Sequence, residues 1–119
     1  MKTYLFHSAA HQMHFDALVS RDGTADGDLE RKALFFILSG QEDLNMFVNR
    51  IYNFEDRIIK LDCFNSGWMT SGFHALISLG FNLYSGGGYD ANVYDTFCHL
   101  DKENQRLALD AIRLRFQLN

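Results

Sequence analysis

"DLERKALFFILSG", residues 28–40, decides the fold. Its centre, Ala33 to Leu38, is apolar on nearly every side. Asp28 stands where an N-cap belongs, and Gly40 where a C′ residue would close a helix. A helix without a polar face belongs in the middle of a domain, with other elements around it. A buried strand is the competing reading, because a short apolar run has no period of its own.

The flanking segments supply what such a helix packs against. Upstream, Ser8 is placed to cap a first helix running to about Ser20, and "RDGTADGD" (21–28) carries the Asp-Gly pairs of a loop. Downstream, Leu44, Phe47, Val48 and Ile51 fall at i, i+3, i+4 and i+7, one helical face, with Glu42 and Asp43 in its first turn. "EDRIIKLDCFNS" (55–66) reads either as a helix end and loop or as a short extended piece. Phe73, Leu76, Ile77, Gly80, Phe81 and Tyr84 then recur at helical spacing, capped by Thr70 or Ser71 and stopped by the glycines 86–88. A short helix opened by Asp90 follows. Asp101 caps the last helix, with Leu107, Ala111, Leu114 and Leu118 as its inner row. Its outer row is Arg106, Asp110, Arg113 and Gln117, with Arg106 and Asp110 as an i, i+4 pair. The expectation is a mainly α protein: a compact single-domain bundle of about five helices with irregular loops, one globular domain over residues 1–119. The chain has no proline, so Gly, Asn, Asp and Ser must make its turns.

A net charge of −4 argues against non-specific nucleic-acid binding, which calls for a basic face. The N-terminal "MKTYLFHSAAHQMHF" is too polar for a signal-peptide core and too short to span a membrane, so the expected location is the cytoplasm. Cys63 and Cys98 share no metal-type spacing and read as buried free thiols.

Three constellations bear on chemistry. His7, His11 and His14 would share one face if all three were helical, a weak metal signal without the Glu of a metalloprotease motif. Asn65, Trp68, Thr70 and Ser71 form a weak ligand-binding loop: the helix that follows offers free N–H groups, and the only Trp could stack on a ligand ring. In the competing structural reading, Thr70 satisfies those groups and Trp68 folds back as a hydrophobic staple. "SGGGYD" (85–90) lacks the Lys-Ser/Thr of a phosphate loop and reads as a connector. His74 and His99 are isolated in the sequence, and neither Cys63 nor Cys98 sits in a nucleophile signature. No catalytic residue and no cofactor is implied.

Arg31-x-Ala33-Leu34, "IYNF" (51–54), "GWMTS" (67–71), "FNLYSG" (81–86) and "AIRLRF" (111–116), with His11 and Phe15 as "HxxxF", make up one pattern. It resembles a small family of uncharacterised bacterial and phage proteins, a domain of unknown function. The resemblance runs from about His11 to Phe116, and "RDGTADGD" is not part of it. It implies a cytoplasmic accessory protein, often carried on mobile elements, and supplies no catalytic residues. The expected function is a non-enzymatic protein–protein interaction factor of phage or mobile-element type. The alternative is a small-ligand or nucleotide sensor built on the Trp68 loop. The expected partner is another protein, with a homodimer as one option and neither membrane nor nucleic acid.

Overall fold

The computed structural model describes residues 6–118. The apolar run is a helix, α2 (Leu29–Gly40), and Asp28 caps it by accepting from the Arg31 N–H. Every residue from Ala33 to Leu38 is at most 1 % exposed, so α2 is enclosed on all sides. It packs against α1 (Ala9–Asp22), α5 (Ser71–Ser85) and α7 (Lys102–Phe116). Ser8, Thr70 and Asp101 cap those three through their side-chain oxygens.

Among the described residues there are seven α-helices and one two-stranded sheet, and the chain is 67 % helical, so the fold is mainly α. The segment read as one amphipathic helix is two, α3 (Glu42–Met46) and α4 (Val48–Ile51), broken at Phe47. Leu44, Val48 and Ile51 are buried as the spacing predicts, while Phe47 is half-buried against Trp68. The undecided segment is partly extended. β1 (Tyr52–Asn53) pairs antiparallel with β2 (Ile58–Ile59), Tyr52 opposite Ile59, and a 3-10 helix (Leu61–Asn65) follows.

The hairpin is held to the helices by one polar cluster. Asp22, at the end of α1, accepts from the Tyr52 hydroxyl at 2.7 Å, from Arg57 at 3.0 and 3.1 Å, and from Thr24. Arg31 donates to the Tyr52 oxygen at 3.0 Å, to Asp28 at 2.9 Å and to the Arg57 carbonyl at 3.0 Å. Burial and the hydrogen bond to Asp22 push the Tyr52 hydroxyl up to about 12. The residues that carry the "RxAL" and "IYxF" pattern thus join α1, α2 and the hairpin.

Four expectations are corrected. Gly40 is the last residue of α2 and not a left-handed C′ residue; a Cβ there would collide with Leu107 and lie 2.9 Å from His11 Nε2. Its missing side chain lets α1 and α7 close over the end of α2. The helix after the glycines, α6 (Val93–Cys98), is capped by Asn92 and not by Asp90. Asp110 lies inward, 6 % exposed, accepting from Arg113 at 2.8 Å and His7 at 3.1 Å, because the segment before α1 lies along α7. Leu118 is 57 % exposed, since left-handed Gln117 ends the helix before it. Among the described residues no helix is long and apolar enough to cross a membrane. The first five residues of the N-terminal stretch lie outside the described residues.

Candidate functional site

The N-terminus of α5 is built by the "MTSG" turn, residues 69–72. Thr70 is extended, its Oγ1 accepts from the Phe73 N–H at 3.1 Å, and its carbonyl accepts from the His74 N–H at 2.8 Å. That leaves the first two amides of the helix, Ser71 and Gly72, without an intrahelical acceptor. Gly72 lies close to the chain leading into α7: a Cβ there would stand 3.5 Å from the His99 carbonyl.

Between this turn and α6 is a cleft of about 450 Å³. Thr70, Ser71 and His74 line it from α5; Asp95, Thr96 and His99 line it from α6 and its end. Asp90 closes it from the connecting loop, and Met69 and Ala75 supply apolar wall. The loop is shaped by Tyr89 and Asp90, both at left-handed φ (48° and 60°). Tyr89 is anchored there by its ring edge on Phe81 and by a 2.8 Å hydrogen bond between its hydroxyl and Ser85.

The polar groups are fixed unevenly. His99 Nδ1 lies 2.6 Å from the Asp95 carbonyl, so this nitrogen carries the proton and donates, and Nε2 is an acceptor in the neutral ring. One carboxylate oxygen of Asp95 accepts from Asn92 at 2.7 Å. His74 Nδ1 is 3.3 Å from the buried Ser78 hydroxyl. Thr96 is 2 % exposed and its hydroxyl has no hydrogen-bond partner, although a buried hydroxyl is normally paired. Among the described residues, no Lys or Arg lines the cleft.

Of the four loop residues singled out in the sequence, Thr70 and Ser71 line the cleft, and Asn65 and Trp68 do not. Trp68 is half-buried against the core. It stacks on Phe47 at 4.5 Å with 10° between planes, so one ring face is already covered. Asn65 ends the 3-10 helix, exposed. In the glycine loop, the Gly86 amide donates to the Asn82 carbonyl at 2.8 Å and the Gly87 carbonyl accepts from the Asn82 side chain, so these groups serve the end of α5.

The three N-terminal histidines do not converge. His7 precedes the helix and donates to Asp110. His11 is 3 % exposed; its Nε2–H donates to the Phe36 carbonyl at 2.9 Å and its Nδ1 accepts from the His7 N–H at 3.1 Å, so neither nitrogen has a lone pair to give a metal. Burial holds its pKa below the ordinary value, outweighing the pull of the Phe36 carbonyl. His14 is half-buried, and among the described residues no group of three or more His, Cys, Asp or Glu could hold a metal ion. The thiols are equally quiet. Burial pushes Cys63 up to about 11. Cys98 is exposed rather than buried, and although its sulfur lies 3.6 Å from His99 Nδ1, that nitrogen's proton is already given to Asp95.

His74, Asp90, Asp95, Thr96 and His99 escaped the sequence reading of this site. The α5 and α6 portions lie some twenty residues apart, joined by a loop without a motif. The only signal available was that two isolated histidines fall on consecutive helices.

A family described as "Family of unknown function (DUF6075)" matches residues 1–119. Among curated proteins and solved structures, nothing matches the chain.

Proposed function

We propose, from the premise that the chain belongs to this family of unknown function across residues 1–119, that it is a binding protein for a small polar molecule held in the α5–α6 cleft. The observation that carries this is the convergence of polar groups from two helices and their connecting loop on one cleft: Ser71 and His74 from α5, Asp95 and His99 from α6 and its end, and Asp90 from the loop. The volume falls within the roughly 300–1,000 Å³ of small-molecule sites. Nucleotides fit poorly, because Asp90 and Asp95 line the cleft and, among the described residues, no Lys or Arg does. The buried Cys63 thiol and the already donated His99 proton favour binding without a reaction.

His99→Ala tests this. The ring is exposed and lines the cleft, so its loss leaves the melting temperature within about 2 °C. Affinity for polar fragments that shift the Ser71 amide signal falls about tenfold, or 1.4 kcal/mol. Fragments that bind the variant as tightly as the wild type, or that never shift the Ser71 amide, sink the reading.

A second reading, an interaction factor, is favoured by α7. Leu109 is 43 % and Phe116 56 % exposed, seven residues apart and so on one face of the helix. On that reading the row meets another protein or a second copy of the chain. The double substitution Leu109→Gln, Phe116→Gln then abolishes association seen by light scattering and leaves the melting temperature within about 2 °C. Association that survives it places the contact elsewhere. Cytoplasmic location and a phage or mobile-element setting belong to the same proposal; two free cysteines suit a reducing compartment.

A further inference from the structure

We infer that Phe6 and His7, just before α1, form a strap fastened by the neutral ring of His11, and that a proton taken up by His11 releases it. The device is independent of the α5–α6 cleft. It follows from the two opposite tasks of one buried ring.

The neighbours of His11 dictate where its hydrogen sits. Nδ1 lies 3.1 Å from the His7 amide, a group that only donates, so Nδ1 must accept. Nε2 lies 2.9 Å from the Phe36 carbonyl, a group that only accepts, so Nε2 must carry the hydrogen. The neutral ring meets both demands. The charged ring has a hydrogen on each nitrogen and meets only one. Its Nδ1–H then faces the His7 N–H, donor against donor, in a residue only 3 % exposed.

The strap is the side of this contact that gives way. His11 belongs to α1, and a positive charge strengthens its bond to the Phe36 carbonyl, so the ring stays on α2. Ser8 caps α1 and stays with it. The His7 amide is outside any helix, and its release breaks no helical hydrogen bond. The ring of Phe6 leaves with it, uncovering His11 at 5.1 Å, Phe15 at 5.3 Å and Phe36 at 5.8 Å. His7 Nε2 donates to Asp110 whether or not the ring is charged, and this bond sets how far acid must go. Once both rings are charged, they repel across 5.4 Å.

The surroundings favour the neutral ring. Burial acts most strongly, and the balance holds His11 below its ordinary 6.5. His7 from the strap and His14 from α1 oppose a further positive charge. Asp110 from α7 attracts one, with Arg113 bonded to it at 2.8 Å. From α2 comes the Phe36 carbonyl; the charged residues of that helix, Glu30, Arg31 and Lys32, pair with Arg115, Asp28 and Asp26. The strapped form therefore binds this proton less readily than an open one. Its advantage is complete above pH 6.5 and is lost as pH falls toward the depressed value.

The test is a titration of the isotope-labelled full chain from about pH 8 to about pH 4, followed at the His11 ring and the His7 amide. The ring is expected to titrate with a midpoint below 6.5. On the same curve the His7 amide loses at least about tenfold of its protection from hydrogen exchange, corrected for the intrinsic rate, while Leu76 and Ile77 in α5 keep theirs. His11→Asn, whose side-chain oxygen accepts from the His7 N–H and takes no proton in this range, keeps His7 protected throughout. A His11 ring that titrates while the His7 amide stays protected overturns the proposal. So does a ring that stays neutral over the whole range, or an Asn variant that releases the strap on the wild-type curve. The first two results are read on the wild-type chain and decide the matter even if the variant does not fold.

Discussion

Phe36→Ala lowers the free energy of unfolding by about 3–5 kcal/mol. The ring is 1 % exposed and sits among His11 at 4.5 Å, Phe6 at 5.8 Å, His7 at 6.2 Å and Phe15 at 6.3 Å. No side chain in this ring of aromatics is positioned to fill the space, since His11 is tied to the Phe36 carbonyl and His7 to Asp110. Domains of this size have only about 5–15 kcal/mol in hand, so the variant is near the edge of folding at 37 °C. Urea denaturation measures the loss. Phe36→Leu, which keeps most of the volume, costs less than about 1.5–2 kcal/mol in the same assay. If the Ala variant costs no more than the Leu variant, α2 is not enclosed as described.

Asp22→Ala comes next, at about 2–4 kcal/mol. The substitution leaves the Tyr52 hydroxyl, in a residue with 0 % exposure, without an acceptor for its proton, and it unties Arg57 from α1. The effect depends on pH. Burial raises the Asp22 carboxyl, but the hydrogen bonds from Arg57, Thr24 and Tyr52 outweigh it and hold the group below its ordinary value of 3.8. A carboxylate depressed in the folded state contributes fully above its unfolded value and loses that contribution as pH falls through the folded one. Wild type and variant therefore differ most above pH ~4 and converge in more acid solution. A constant gap down to pH 2 removes Asp22 from the cluster.

The parts of the fold that the sequence made legible are those with local rules. Ser8, Asp28, Thr70 and Asp101 cap helices where short polar side chains precede apolar spacing, and Ala33–Leu38 is central because it has no polar side. Where tertiary contact overrides a local rule, the sequence is silent. Gly40 looks like a terminator and is a gap for Leu107 and His11. Asp110 has an outward-facing address and turns in to meet His7 and Arg113. The Phe47 break has no breaker residue; stacking on Trp68 occupies that position. The candidate site was half legible for the same reason. Thr70 and Ser71 announce a helix start, but Asp90, Asp95, Thr96 and His99 join them only through the pairing of α5 with α6.

The enclosure of α2 also sets an order of events. Among the described elements that cover it, α1 precedes it, and α5 and α7 are made well after it. During synthesis, then, the most apolar segment of the chain leaves the ribosome with most of its shelter still unwritten. Until residues 71–116 follow, that segment is a surface for chaperones or for a neighbouring nascent chain. The rate at which translation delivers the last helix thus bears on the yield of folded protein as directly as any contact inside it.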